Sequence, residues 1–368
     1  MSDAPTVARA EIARIVMPLK RPVRLGTLEI RERAYVVLRL TLSDGATGNA
    51  FGYDRGMPLY EVVVEAARRY LGASTDARDT LRFTALGPTP APRATMVRGV
   101  SLCDIALRDA MAVGAGQPLH AMLGTVRDRV EVMPVIGYGM TPDVAAREGA
   151  SLADRDFRTI KLMIDGGDFA FDRAVVEALA AALPPQTRFG LDAHWSFKRV
   201  DDALPWCRLA EDCCALFLED PVAPTAWRVA ADLRAETRVP LCLGEDAIDI
   251  DALRDMCEGA DILRLDAAAS GGLGYALDGL ALARRMDKTV IPHVFSTLHQ
   301  HLAFADEIVT RIEAILPEVG ADPIDDILLH PLSIADGAAC APADPGAGTA
   351  LDWAGLQPFV LRKETLTP

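Results

Sequence analysis

Short β-rich runs alternate with amphipathic or alanine-rich stretches from Val130 to about residue 315. This alternation predicts a parallel sheet in which each helix connects one strand to the next by a right-handed crossover. The predicted strands are the runs 130–136, 159–164, 188–191, 215–218, 241–243, 262–265, 290–291 and 311–315, with helices such as 170–183, 226–236 and 275–287 between them. Eight such units predict a closed (β/α) barrel. An open, doubly wound α/β sheet is the alternative, because local patterns do not show closure.

The first 126 residues follow a different pattern. Two strand-like runs, 7–16 and 35–41, precede helical stretches at 59–71 and 100–113, with a proline-rich loop at 87–92 between the helices. This order predicts a separate α+β domain over residues 1–126, followed by a catalytic barrel over 127–317. The segment 318–368 is rich in proline, glycine and aspartate and is predicted to return to the first domain.

The charge balance restricts the partners of the chain. Thirty-eight basic and fifty-two acidic side chains give a net charge of −14, which disfavours binding to nucleic acid or to an anionic membrane surface. No run approaches the ~18 apolar residues of a membrane span, and the first residues lack a leader pattern, so we expect a cytoplasmic protein. An anionic substrate would need a bound cation or a few buried basic side chains.

Three of the predicted strands are followed by a carboxylate: Asp192, Glu219 and Glu245. The carboxyl ends of barrel strands share one rim, so these side chains are expected to converge and repel one another. A hard divalent cation removes that repulsion, and oxygen ligands suit Mg²⁺ better than zinc. The alternative is that each acid caps a helix or forms an ion pair.

Two further basic groups are candidates for the same rim. Lys161 interrupts an apolar strand, where an unpaired lysine is costly to bury, so it is expected to face the polar rim and neutralise a substrate carboxylate. His293 and Asp266 follow neighbouring strands, and an aspartate beside an imidazole makes a general base. The alternatives are a lysine whose amine reaches solvent at the barrel edge and a histidine satisfied within the core.

The order of these residues resembles the mandelate racemase subgroup of the enolase superfamily over nearly the whole chain. The resemblance rests on the motifs around Glu219 (Phe-Leu-Glu-Asp-Pro), Glu245 (Leu-Gly-Glu) and His293 (Pro-His-Val-Phe), with Asp266 five residues before Gly271. It implies an enolase-type (β/α)7β barrel with an α+β capping domain, one Mg²⁺ per subunit and a symmetric homo-oligomer.

The resemblance also implies roles for residues outside the predicted metal triad. Glu313 falls where the family keeps an acid that hydrogen-bonds the enolate oxygen. The capping domain of the family supplies specificity loops, here about 19–29 and 51–59, so Tyr53, Arg55 and Arg24 become candidates for substrate contact, with ordinary exposed loop residues as the alternative.

One departure from the family bears on the reaction. Racemising members carry a second lysine two residues after the first, whereas this chain has Met163 there, on the same strand face as Lys161. Racemisation ordinarily requires two bases, one on each face of the carbon. With His293 alone, loss of a β-hydroxyl is the expected outcome, and the predicted function is an acid sugar dehydratase.

The proton for the leaving hydroxyl has two candidate sources. His194, two residues after Asp192, resembles the Asp-x-His arrangement of some sugar-acid dehydratases and is expected to face the same rim by strand alternation. The alternative is a structural His194, with His293 acting as both base and acid in a syn elimination. A racemase or epimerase using another base and an inactive, metal-holding homologue remain as other hypotheses.

Overall fold

The computed structural model describes residues 4–25 and 28–368 of the chain. The N-terminal part forms an antiparallel sheet covered by helices, as an α+β domain requires. Its elements are β1 (Val7–Leu25), β2 (Leu28–Leu42), β3 (Thr47–Tyr53), α1 (Leu59–Tyr70), α2 (Arg78–Leu86), α3 (Pro90–Gly114) and α4 (Leu119–Leu123). Helix α3 begins ten residues before the predicted stretch, since proline is well tolerated in the first turn of a helix, where backbone N–H groups have no partner within the helix.

Strands β1 and β2 form a hairpin that is longer than the sequence indicates. The predicted specificity loop 19–29 belongs mostly to its arms, where Val23 pairs with Ile30 and Arg24 with Glu29. Residues 26 and 27 of that loop lie outside the described residues. The run from Lys20 to Pro22 is polar and contains proline, so its sequence does not predict a strand, and the pairing of the two arms is interrupted there, between Pro18 and Val23.

The barrel strands and helices alternate as the sequence predicts. They are β4 (Arg129–Ile136), α5 (Pro142–Asp154), β5 (Thr159–Met163), α6 (Phe169–Ala182), β6 (Arg188–Asp192), α7 (Val200–Asp212), β7 (Leu218–Glu219), α8 (Trp227–Glu236), β8 (Leu241–Leu243), α9 (Ile250–Met256), β9 (Ile262–Leu265), α10 (Ala267–Ser270), α11 (Gly272–Arg285), β10 (Thr289–Pro292), α12 (Ser296–Ala305) and β11 (Arg311–Ala314).

The strands follow one another around a ring. Strands β4 to β10 pair in chain order, and β11 pairs in parallel with β4. Strand β10 also pairs with the residues just before β11 through backbone hydrogen bonds, from Thr310 N to Val290 O at 3.1 Å and from Val290 N to Ile308 O at 3.0 Å. Within the described residues 129–314, eight parallel strands and seven helical connections thus give the predicted (β/α)7β arrangement.

The C-terminal segment contacts both parts of the molecule. It contains β12 (Ile334–Ala335), β13 (Ala338–Cys340) and β14 (Val360–Leu366). Strand β13 first pairs antiparallel with the start of barrel strand β4. Strand β14 then joins β1, so the N-terminal sheet has the order β14-β1-β2-β3. The segment therefore connects the barrel to the N-terminal sheet by pairing with a strand of each.

A small apolar layer fills the barrel interior below its carboxyl rim. It consists of Met133, Phe217, Cys242 and Ile291, all buried. Phe217 fits because its neighbour is Gly190, where an added Cβ would come within 2.2 Å of the Phe217 ring. This layer closes the barrel below the rim and separates the rim from a second polar cluster, Glu131, Thr159 and Arg311, near the amino ends of the strands. In the part of the chain that the structure covers, we find no helix with the length and apolar character needed to cross a bilayer.

Candidate active site

The three predicted metal ligands lie at the carboxyl rim of the barrel. Asp192 ends β6, Glu219 ends β7, and these two residues are paired neighbours in the sheet. Glu245 comes two residues after β8. All three residues are buried, with 4%, 0% and 4% of their surface exposed. Glu219 and Glu245 are therefore held close together away from bulk water, and Asp192 lies beside Glu219 in the sheet.

Lys161 lies among these carboxylates. Its Nζ is 2.9 Å from Asp192 Oδ2, 2.9 Å from Glu219 Oε1 and 2.8 Å from Glu313 Oε2. Burial lowers the pKa of Lys161, but the charges of Asp192 and Glu219 outweigh it and raise the pKa well above its usual value. The lysine is therefore a fixed positive charge at the rim, where the sequence analysis expects it.

The carboxylates outnumber the positive charges near them. Oxygen atoms of Glu219, Asp220 and Glu245 lie within 4.8 Å of one another. Burial and the repulsion of Glu219 and Asp192 raise the pKa of Glu245 well above its usual value. Burial also raises the pKa of Glu219, to about 7. Such crowding of buried oxygens fits a hard divalent cation.

One oxygen of this group is available to such a cation. Glu219 Oε2 is buried and has no hydrogen-bond partner among the residues that the structure describes. A buried oxygen of this kind is costly unless something binds it. Asp220, which the sequence analysis did not select, turns inward because its backbone is left-handed (φ 42°), whereas strand alternation would have placed it opposite Glu219.

Arg264 is a second buried cation that the sequence analysis missed. Its side chain is fully buried, its Nε lies 3.0 Å from Glu219 Oε1, and its Nη2 pairs with Glu313. Its Nη1 donates to the carbonyls of Ile291, at 3.1 Å, and Pro292, at 3.0 Å. The signal was present, since Arg264 interrupts the apolar strand β9 in the same way that Lys161 interrupts β5.

We expect Arg264→Met to destabilise the protein by about 3–5 kcal/mol, because removing one partner of a buried ion pair leaves the other charge uncompensated. The free energy of unfolding in urea, measured without added metal, tests this. Arg254→Met is the matched control, since Arg254 is exposed and its ion pair with Asp251 is on the surface. Equal stability of the two variants would show that Lys161 alone compensates Glu219 and Glu313.

The predicted dyad is formed. His293 follows β10, Asp266 follows β9, and His293 Nδ1 lies 3.0 Å from Asp266 Oδ2. Asp266 Oδ1 also accepts the N–H of Ala268 at 2.7 Å, so this residue caps α10 as well. Burial lowers the pKa of His293 despite the raising effect of Asp266. The imidazole is therefore neutral at neutral pH, as a general base must be.

The turn after the histidine is constrained. Val294 and Phe295 both have left-handed backbones, with φ of 38° and 40°, which is costly for a β-branched residue such as valine. The Phe295 ring packs against Phe51 and Tyr53 of the N-terminal domain, with centroid distances of 5.4 and 4.9 Å. The N-terminal domain thus helps to hold the backbone that carries His293.

A cavity of about 420 Å³ lies between the rim and the N-terminal domain. It is lined by four of the predicted residues: Glu313 of β11, His194, Tyr53 and Arg55. Arg24 instead lines a separate cavity of about 310 Å³ on the far side of Met163. The hydroxyl of Tyr53 donates to Asp322, and Arg55 forms a 3.4 Å ion pair with Asp246. Arg33 and Tyr138, which the sequence analysis did not select, also line the larger cavity.

His194 lines the cavity as expected, but its position does not come from strand alternation. Strand β6 ends at Asp192, so strand alternation does not apply to His194, whose backbone is left-handed with φ 47°. Its N–H donates to Asp192 Oδ1 at 2.9 Å, and its ring packs on Trp195 with 4.4 Å between centroids. Burial lowers the pKa of His194 below its usual value, so the ring is neutral at neutral pH.

This fold and this site define the class of the protein. The family model described as enolase C-terminal domain-like matches residues 143–355, more than half of the chain. The chain therefore belongs to the enolase superfamily, as the sequence motifs predict.

Curated relatives fall into several reaction types. L-Talarate/galactarate dehydratase of Salmonella typhimurium is 26% identical over 285 residues, covering 75% of this chain and 71% of that protein. Muconate cycloisomerase 1 of Rhodococcus opacus is 24% identical over 366 residues, covering 94% and 96%. N-succinylamino acid racemase of Thermus thermophilus is 27% identical over 284 residues, covering 75% of each.

A solved structure has the same fold. The crystal structure of the Salmonella dehydratase liganded with Mg and L-lyxarohydroxamate has a TM-score of 0.89 and 21% identity, and the match covers 100% of this chain and 95% of that one. The relatives are enzymes, both lyases and isomerases, so the family alone leaves the reaction of this chain open.

Proposed function

We propose that this chain is a Mg²⁺-dependent dehydratase of a sugar acid, which removes the proton next to a carboxylate and then eliminates a β-hydroxyl as water. The observation that carries the proposal is the Asp266–His293 dyad beside a rim of buried carboxylates, with Met163 at the position of a second base. Dehydratases among the relatives support it.

The metal would be held by Asp192, Glu219 and Glu245, with Asp220 beside them. Bound there, Mg²⁺ supplies positive charge that favours the enediolate form of the substrate carboxylate. Lys161 adds a second positive charge at the same place, already paired with two of the carboxylates. The chain thus provides the electrostatic stabilisation that proton removal from a weak carbon acid requires.

We propose for Glu313 a role different from the one that the resemblance implies. Burial raises the pKa of Glu313, but the charges of Arg264 and Lys161 outweigh that effect and lower it to about 2, which favours the carboxylate form. We propose that Glu313 positions the ammonium of Lys161, 2.8 Å away, for the substrate carboxylate.

The proton is removed by His293. In this assignment Nδ1–H donates to Asp266, which leaves Nε2 as the basic nitrogen facing the rim. Met163 follows Lys161 on β5, lines the same cavity and has no titratable group. Because a base lies on only one face of the α-carbon, elimination is favoured over racemisation.

We expect His194→Asn to keep the dehydration rate within about tenfold, because the neutral His194 is a poor acid and the protonated His293 can return its proton to the leaving hydroxyl. Steady-state rates of 2-keto acid formation, together with exchange of the α-proton in D₂O, test this. Loss of product with retained exchange would instead identify His194 as the proton donor.

The proposed function is tested by incubating sugar acids with the protein and Mg²⁺ and detecting a 2-keto-3-deoxy acid. A keto product that forms with Mg²⁺ and is absent in EDTA supports the proposal. Inversion at the α-carbon without a keto product would indicate a racemase or epimerase. Neither exchange nor product with any acid would indicate an inactive, metal-holding homologue.

A further inference from the structure

Arg33 provides a positive charge at the wall of the cavity that the N-terminal domain contributes. It lies on β2 and is partly buried. Its Nε donates to the carbonyl of Ala321 at 3.1 Å, and its guanidinium lies 5.3 Å from the centre of the Tyr53 ring. The hydrogen bond from Nε to Ala321 and the contact with the Tyr53 ring fix the guanidinium in position before any ligand binds.

The terminal nitrogens of Arg33 remain available. Among the described residues 4–25 and 28–368, neither makes a hydrogen bond or an ion pair with a carboxylate. The nearby acid Asp322 is already engaged, since both of its oxygens accept hydroxyl hydrogens, from Tyr35 and Tyr53. A half-buried guanidinium with two free N–H edges is the usual arrangement for binding a carboxylate.

The other two cations of the cavity wall are already paired. Lys161 contacts three carboxylates, and Arg55 pairs with Asp246, which also holds Arg98. Arg33 is therefore the cation of this wall, in the described chain, that forms no direct ion pair, although the charge of Asp322 acts on it through space. Glu32, on the same strand, also lines the cavity but is exposed at its edge.

Tyr138 connects the two ends of the cavity. Tyr138 lines the cavity together with Arg33 and Lys161; burial raises the pKa of its phenol, and the charges of both cations lower it. The reacting carboxylate of the substrate belongs at the Lys161 end, beside the rim of acids. A substrate lying along Tyr138 would bring its other end to Arg33.

We propose that Arg33 binds a second carboxylate of the substrate, so that the preferred substrate is a dicarboxylic sugar acid (an aldaric acid) rather than a monocarboxylic one (an aldonic acid). This inference rests on the proposed function for the identity of the reacting end. The two anionic ends of the substrate would be separated by the polyol chain, with Tyr138 beside it.

The test compares two acids of the same configuration, D-glucarate and D-gluconate, and likewise galactarate and galactonate. Binding to the Mg²⁺-loaded protein is measured by calorimetry, and kcat/KM is measured where product forms. We expect the diacid to bind at least tenfold more tightly than its monoacid. Arg33→Met should lower the ratio of diacid to monoacid affinity by at least 90%, and Arg33→Lys should retain part of the preference for the diacid.

Arg31→Met is the matched control, because Arg31 lies on the same strand, is exposed and pairs only at the surface with Glu29. Thermal unfolding of each variant shows whether the contact of Arg33 with Ala321 affects folding. Equal binding of diacid and monoacid, or a preference for the diacid that survives in a folded Arg33→Met, would overturn the inference. Arg33-dependent binding of a diacid without α-proton exchange would overturn the proposed function and leave this inference standing.

Discussion

Replacing His293 with asparagine is expected to lower kcat by at least ~10³-fold, within the ~10²–10⁴-fold range of general acid–base catalysis. Asparagine can keep a hydrogen bond to Asp266 but cannot take up a proton, so the reaction loses its base while the site keeps its shape. The measurement is the initial rate of keto acid formation with Mg²⁺ present, once a substrate has been found.

His330→Asn is the matched control for this variant. His330 is about half exposed, lies 3.2 Å from Asp344 and does not line the larger cavity, so its replacement should leave kcat unchanged within twofold. A folded His293→Asn protein with near wild-type kcat would show that another group removes the proton. The assignment of the dyad would then be wrong.

Replacing Glu245 with glutamine is expected to have two opposite effects, a more stable protein in EDTA and a loss of metal binding. The pKa of Glu245 is raised by burial and by the charges of Glu219 and Asp192, so its ionised form destabilises the fold at neutral pH. For the same reason, the metal-free wild-type protein gains stability as the pH falls from the raised pKa of Glu245 in the folded protein to its ordinary pKa in the unfolded chain. Glutamine mimics the protonated state at every pH.

The melting temperature with and without Mg²⁺ measures both effects. At a hundredfold excess of Mg²⁺ over its dissociation constant, the wild-type protein should gain about 2.7 kcal/mol, whereas Glu245→Gln should gain almost nothing. Glu177→Gln is the control, because Glu177 forms a surface ion pair with Arg173 and should behave as wild type. Full Mg²⁺ stabilisation of Glu245→Gln would show that Glu245 is not a ligand.

The sequence predicts the barrel well because its strands and helices are local features. All eight predicted barrel strands occur, and the acids that end them meet at the rim because parallel strands share one direction. Lys161 and the His293–Asp266 pair follow from the same argument, since each lies in or directly after a strand.

Arg33 and Asp220, which the sequence analysis missed, depend on a contact between distant parts of the chain or on irregular backbone, whereas Arg264 interrupts an apolar strand as Lys161 does. The position of Arg33 depends on Ala321, nearly three hundred residues away. Asp220 turns inward through left-handed backbone at the end of a strand, where the alternation of side chains no longer holds. Propensities and local periodicity contain neither kind of information.

Exchange of the substrate α-proton in D₂O tests the central claim most directly, because it reports proton removal whether or not a product forms. With an accepted sugar acid and Mg²⁺, proton NMR should show a keto product from the wild-type protein, no inversion at the α-carbon, and neither product nor exchange from His293→Asn. Exchange that persists in EDTA or in His293→Asn would contradict abstraction by this imidazole at a metal-dependent rim.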